Sequence, residues 1–197
     1  MCQFIESIKL QDGDFFRLDF HQERMNRAFR DFFPGQEIPQ LKEHLAKTPF
    51  PTSGLLKCRV LYGSEIHSTE FVPYVRREIT SLKIVETTQD SLPYKTNNRS
   101  GFDTAFALRG ECDDVLLVKN GLLTDTSYSN IALWNGKNWF TPRVPLLYGV
   151  NRASLLAEGK IVEKDIAASD LKQYSRIALF NAMVEFGEVV LDVEMVS

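Results

Sequence analysis

The chain has 197 residues, 44% hydrophobic and 25% charged, enough to bury a core in one domain or two small ones. A formal net charge of −3 without a basic block gives no reason to expect nucleic acid or an anionic membrane as partner. Cys2, Cys58 and Cys112 are scattered, with no CxxC, so neither a disulfide framework nor a zinc site is indicated and no metal is implied. No stretch reaches the roughly 20 apolar residues of a membrane helix, and no charged leader runs into a long apolar segment. These features fit a cytoplasmic enzyme acting on a small molecule.

Residues 4–10 read as a strand, and Gln11-Asp12-Gly13-Asp14 as a turn into a second strand at Phe15-Phe16-Arg17. Asp19 has the chemistry of an N-cap, and Met25, Ala28, Phe29 and Phe32 recur at helical spacing over Phe20 to Phe33. Pro34-Gly35 ends that helix, and a second short one spans 38–47, before Thr48-Pro49-Phe50-Pro51. Strands at 55–62 and 65–73 flank a Gly63-Ser64 hairpin turn, with another strand at 82–88. The segment from Asp90 to Arg99 is polar and broken by proline. It divides an N-terminal α+β domain (1–89) from a C-terminal domain (100–197), with residues 90–99 as linker.

Beyond the linker a helix is expected at 102–111. Strands follow at 114–118, 122–124, 130–134 and 138–140, then a helix at 150–158. A strand near 161–165, a helical turn at 168–173 and a strand at 176–181 complete the series. Many strands with hairpin-length links favour α+β over a regular βαβ winding.

The most informative run is KNGLLTDTSYSNIALWNGKNWFTPRVPLLYGVNRASLL, from Lys119 to Leu156. An acid ends a short apolar stretch, a Ser-Asn pair leads into a strand, and a Thr-Pro turn opens toward a glycine-led helix. Such parts could hold a phosphorylated, nitrogen-containing cofactor. The carboxylate can pair with a ring nitrogen, and free N–H groups at a helix start can bind phosphate.

That order resembles the class IV aminotransferase family, the fold-type IV (D-amino-acid aminotransferase-like) pyridoxal 5′-phosphate enzymes. Three other segments match in the same order. FIESIKLQDGDFFRLDFHQERM is similar to the family's FET-R-x-x-DG…H-x-x-R-L opening, LPYKTNNRS to its lysine segment, and ALFNAMVEFGEVV to the strand and turn that complete its phosphate cup. The resemblance implies a homodimeric α+β enzyme with a smaller α+β N-terminal half and a mixed-strand C-terminal half. It also implies that the N-terminal half is truncated, lacking strands that relatives carry ahead of FIES.

Site residues follow from the resemblance, position by position. Lys95 joins the cofactor aldehyde and then acts as the base. Asp125 faces the ring nitrogen, where most relatives carry glutamate. Arg24 meets the phosphate with its fork, aided by backbone N–H groups at Gly149, Val150 and Asn151 and by donors at Asn181 and Ala182. Arg99 stands near the phenolic oxygen, and Arg59 and Glu6 contact the substrate. His21 orients its helix, while Ser129 and Asn130 shape the turn. A surface lysine, a turn acid and a solvated strand arginine are the plain alternatives for Lys95, Asp125 and Arg59.

YKTNNR and Asn181-Ala182-Met183 resemble the 4-amino-4-deoxychorismate lyase branch, which eliminates pyruvate to give 4-aminobenzoate, a folate precursor. A class IV aminotransferase acting on a branched-chain or D-amino acid is the alternative. A cofactor-binding protein without turnover is the third reading.

Overall fold

The computed structural model describes residues 3–197; Cys2 therefore lies outside the described residues. The chain divides into two units. The first holds residues up to Val75 together with Pro93–Asn98, and the second holds Arg76–Leu92 and Arg99–Ser197. This differs from a division at residues 90–99 in two ways. The strand Leu82–Glu86 pairs within the second unit, while Pro93–Asn98 is drawn into the first.

The first unit is a four-stranded antiparallel sheet carrying a long helix. Its strands are β1 (Phe4–Gln11), β2 (Asp14–Phe15), β3 (Leu55–Tyr62) and β4 (Ile66–Pro73), in the order β2-β1-β3-β4. Helices α1 (Leu18–Phe32) and α2 (Leu41–Ala46) fall between β2 and β3. In β3 Leu56, Cys58, Val60 and Tyr62 are buried and alternate with half-buried residues, as the two-residue period of a strand requires. Phe4 and Ile8 of β1 join Cys58, Val60 and Tyr62 against Met25, Ala28 and Phe29 of α1.

Helix α1 starts earlier than the Asp19 cap implied. β2 ends after two residues, and Arg17 takes a left-handed conformation (φ 55°) at the N-cap. Asp19 instead lies in the first turn, where its charge favours the helix dipole.

The second unit is built on a mixed sheet. Its strands are β5 (Leu82–Glu86), β6 (Asp114–Lys119), β7 (Leu122–Thr126), β8 (Asn130–Trp134), β9 (Trp139–Pro142), β10 (Val162–Lys164), β11 (Arg176–Phe180) and β12 (Val189–Asp192). The path runs β10-β9-β8-β7-β6-β5, and β11 pairs with both β8 and β12. Pairs β5–β6 and β9–β10 are parallel. Parallel neighbours need long crossovers, and these carry helices α3 (Ser100–Ala107) and α4 (Val150–Ala157). Helix α3 begins two residues before the expected 102. The last strand, β12, follows a turn that sequence reading had left unresolved. Leu116, Val118, Ile131, Leu133, Ile177 and Leu179 fill the core of this sheet. Among the described residues no helix is long and apolar enough to cross a membrane.

Phe4 has no exposed surface and meets the rings of Phe32, Phe33, Tyr62 and Tyr94 at 5.0, 6.1, 5.6 and 5.3 Å. Phe4→Ala should therefore destabilise the protein by about 3–5 kcal/mol. Urea denaturation measures this, and a loss under 1 kcal/mol (roughly a surface substitution's effect) would contradict the packing described.

Candidate active site

In the first unit Lys95 lies on a short extended segment laid beside β1. Ile5 N–H donates to Lys95 O at 2.9 Å, and Asn97 N–H donates to Gln3 O at 3.0 Å. Phe4 and Thr96 form an antiparallel bridge. Pro93 keeps the preceding residue out of helix, and Tyr94 seats its ring edge-on against Phe4 and Phe32. Lys95 is thus half-buried, and its Nζ reaches Ser7 Oγ at 3.5 Å. Arg59, opposite Ser7 in the β1–β3 register, donates to Asn97 Oδ1 at 3.0 Å and lies 3.5 Å from Glu70.

Glu6, expected at the substrate, has no exposed surface. Arg24 Nε donates to Oε1 at 2.9 Å and Nη2 to Oε2 at 2.5 Å, while His21 Nδ1 meets Oε2 at 2.5 Å. The arginine fork expected to meet a phosphate is therefore spent on Glu6. The physical reason is that an ionised carboxylate buried without a partner is costly. Burial alone would raise the Glu6 carboxyl. The charge of Arg24 and hydrogen bonds from His21 and Arg24 outweigh it and hold Glu6 at about 2. Burial holds His21 below its ordinary value, with Arg24 and Lys95 adding to the effect against Glu6. His21 Nε2 and the hydroxyl of Tyr62 are buried with no hydrogen-bond partner.

In the second unit Asp125 ends β7, paired with Asn130 at the start of β8. Asn130 Nδ2 donates to Asp125 Oδ1 at 2.7 Å and to Leu147 O at 2.8 Å; Leu147 N–H donates to Asp125 Oδ2 at 2.9 Å. Burial pushes Asp125 up to about 6, against these hydrogen bonds, which favour its ionised form. Asn130 thus does more than shape a turn.

Two residues beyond Leu147, Gly149 caps α4 without a side-chain bond, so the first-turn N–H groups at Val150 and Asn151 lack intrahelical partners. A Cβ on Gly149 would collide with Asn130 Oδ1.

The donors expected from side chains here are already used. Asn151 Nδ2 donates to Asn181 O and Val184 O at 2.8 and 3.1 Å, leaving its buried Oδ1 without a partner. Asn181 accepts from Met183 and Val184 N–H, and its Nδ2 donates to Tyr128 O and Ser129 Oγ. Its own N–H goes to Val184 O, which leaves Ala182 as the donor of that pair. Arg99 Nη2 donates to Ser127 O at 2.8 Å, and its guanidinium lies 4.0 Å from the Tyr128 ring centroid. Sequence reading passed over Tyr128 and Arg77; the only signal was a large aromatic residue inside a Ser/Thr turn.

Comparison with known proteins gives the family. Residues 59–191 match the family described as amino-transferase class IV. The chain therefore belongs to the class IV aminotransferases, a family of pyridoxal 5′-phosphate enzymes. Within it, an uncharacterized protein of Haemophilus influenzae is 32% identical over 93% of this chain and 98% of its own. A Schizosaccharomyces pombe protein provisionally named aminodeoxychorismate lyase is 25% identical over 94% of this chain and 88% of its own. A crystal structure from Haemophilus somnus, provisionally named 4-amino-4-deoxychorismate lyase, superposes with a TM-score of 0.86 at 28% identity, over 94% of this chain and 98% of that one.

The residues fit the cofactor's chemistry. An uncapped helix start suits a phosphate, a glycine stands where any Cβ would collide, and a buried acid touched only by neutral donors suits a ring nitrogen.

Two substitutions test these clusters. Glu6→Gln strands Arg24 and should cost about 3–5 kcal/mol at neutral pH. The stability Glu6 contributes is complete above its ordinary 4.5 and is lost as pH falls through about 2. The gap between wild type and variant in urea denaturation should therefore close in acid; a gap independent of pH would remove Glu6 from the acid limb. Gly149→Ala must displace the Asn130 amide from Asp125. An absorbance titration with pyridoxal phosphate should show affinity reduced about tenfold, the loss of one hydrogen bond to a charged group. Unchanged affinity would mean the helix start does not contribute.

Proposed function

We propose that the chain is a pyridoxal phosphate-dependent 4-amino-4-deoxychorismate lyase, releasing pyruvate and 4-aminobenzoate. What carries the reading is the fixing of Lys95: backbone bonds from Ile5 and to Gln3 on either side hold its segment against β1, with Ser7 within reach of Nζ. The likeness to proteins provisionally named as lyases in Schizosaccharomyces pombe and Haemophilus somnus supports the choice of reaction.

The bound cofactor supplies a ring that accepts electrons from the amine-bearing carbon of the substrate. Lys95 would hold the cofactor by its aldehyde carbon. As a base, its Nζ takes the proton from the amine-bearing carbon of the substrate, and Ser7 Oγ orients that Nζ. The carbon–oxygen bond to the enolpyruvyl group breaks, the proton is returned to that group, and pyruvate leaves as the ring becomes aromatic. Asp125 would serve the ring nitrogen and favour its protonated form; its carboxylate is held on two sides by Asn130 and Leu147.

The N–H groups of Val150, Asn151 and Ala182 would serve the phosphate, while the Arg24 fork is already taken by Glu6. Arg99 stands toward the phenolic oxygen, and Arg59 toward a substrate carboxylate. Glu6 positions Arg24 rather than touching substrate, since both its oxygens are taken. A cytoplasmic homodimer contributing to folate precursor synthesis completes the reading.

The cofactor-loaded protein should release pyruvate from aminodeoxychorismate with no keto acid present. Lys95→Ala should abolish that release and the borohydride-fixed cofactor label on the Lys95 peptide. Turnover appearing only after a keto acid is added would replace the lyase with a transaminase. A label on another peptide would remove Lys95 from the chemistry.

A further inference from the structure

Helix α3, the loop before β5 and the β7–β8 turn of the second unit carry an alternating series of guanidinium groups and aromatic rings. Arg109 lies 4.2 Å from the Phe106 ring centroid, and Arg77 lies 5.0 Å from Phe106 and 5.8 Å from Tyr128. Arg99 lies 4.0 Å from Tyr128 and 5.4 Å from Phe102. Phe106 and Tyr128 meet edge-on at 6.4 Å.

Tyr128 is half exposed, although Thr126, Ser127 and Ser129 around it are buried. Its ring is not a loose tip. Its carbonyl accepts from Asn181, and its N–H approaches Thr126 Oγ1 at 3.4 Å. It lies three positions after Asp125 in the chain.

Each guanidinium has five N–H donors in one plane. Arg77 and Arg99 each lie near two rings, and an N–H edge not used in the protein is what an anion would meet. Arg77 gives one bond to Asp113 O, Arg99 one to Ser127 O and Arg109 one to Phe106 O. Two acids share this surface. Asp103 pairs with Arg99 Nε at 3.7 Å, and the Asp113 carboxylate accepts from Thr80 and Ser81, which hold it ionised. Three guanidinium groups against these two carboxylates leave a small positive excess beside the rings, and the surface is only three arginines long. In a chain of net charge −3, that extent suits a small acid better than a polyanion.

We propose that this ladder is a binding surface for a planar ring bearing a carboxylate. The ring stacks against Tyr128 or Phe106, and an arginine edge takes the carboxylate by paired hydrogen bonds. This rests on the lyase reading for the identity of the acid, because the product of that reaction is a flat, carboxylated ring and its substrate bears the same ring carboxylate. The surface gathers such acids beside the turn that carries Asp125.

The test uses the cofactor-loaded protein and calorimetric titration with benzoate, 4-aminobenzoate and cyclohexanecarboxylate. Benzoate and 4-aminobenzoate should bind, and the non-planar acid should bind more weakly. Arg77→Gln should weaken benzoate about tenfold, the loss of one charge-assisted pair. Tyr128→Phe should retain binding that Tyr128→Leu loses, and Phe106→Leu gives an independent reading should a Tyr128 variant fail to fold. Equal affinity of benzoate for wild type, Arg77→Gln and Phe106→Leu, or no binding at all, overturns the proposal. So does a change in oligomeric state in these variants with benzoate affinity intact, which would make the surface a contact between copies of the chain. The lyase reading fails separately: benzoate binding that follows the ladder in a protein releasing no pyruvate removes the reaction and leaves the surface. In an active lyase, a raised KM in Arg77→Gln assigns the surface to substrate; weaker inhibition by 4-aminobenzoate at unchanged KM assigns it to product.

Discussion

The Asp125 carboxylate is the constraint on which the second unit's chemistry depends. One oxygen takes the Asn130 amide and the other the Leu147 N–H, and the same Asn130 amide reaches Leu147 O. Three short bonds therefore join the end of β7, the start of β8 and the segment that enters α4. The absence of a Cβ at Gly149 lets the helix start lie against Asn130. Asp125 and Asn130 lie five residues apart and Gly149 follows nineteen residues later, yet contacts at Asn130 tie the three together. Removing the carboxylate would leave one of the two Asn130 amide bonds and the bond of the part-buried Leu147 N–H unmade, each at a cost of about 1–3 kcal/mol.

The lysine cluster of the first unit is organised differently, by packing before polarity. Phe4 is surrounded by four rings, one of them Tyr94, the residue before Lys95. Seating that ring fixes the backbone of the lysine segment, and the bonds at Ile5 and Gln3 complete the attachment. The Glu6–Arg24–His21 group then fills the polar part of the same sheet face. Its net worth to stability is small or negative relative to apolar packing, since desolvating charges is expensive. What it supplies is a fixed position for an arginine.

Much of this was legible in the sequence, because the strands and α1 carry strong periodic signals and because Lys95, Asp125 and Gly149 sit in recognisable turns. Several features were hidden for physical reasons. The early start of α1 depends on a left-handed Arg17, which residue identity does not announce. The diversion of Arg24 to Glu6 depends on pairing strand against helix, a long-range contact. The assignment of β5 to the second unit required a parallel partner in β6, many residues later. The side-chain amides of Asn151 and Asn181 read as ligand donors, yet both close the turn after β11.

The two buried carboxylates titrate in opposite directions, and the contrast bears on which one a cofactor would approach. Glu6 touches Arg24 and His21, and the Arg24 charge together with the hydrogen bonds from both outweighs its burial. Asp125 touches only neutral amide donors; Arg152 acts on it from a distance and is the weakest of the influences on it. Burial therefore dominates at Asp125 and carries it to about 6, whereas Glu6 lies at about 2. An acid in that state gains most from a cation placed against it, because ionisation is then no longer opposed by an apolar surrounding. A protonated ring nitrogen is such a cation. Glu6 already has its counter-charge and has nothing comparable to gain. On the proposed reading, aspartate can serve where the resemblance expects glutamate. Its shorter reach matters less when two rigid donors hold the carboxylate in place, since position is then set by Asn130 and Leu147 rather than by the length of the side chain.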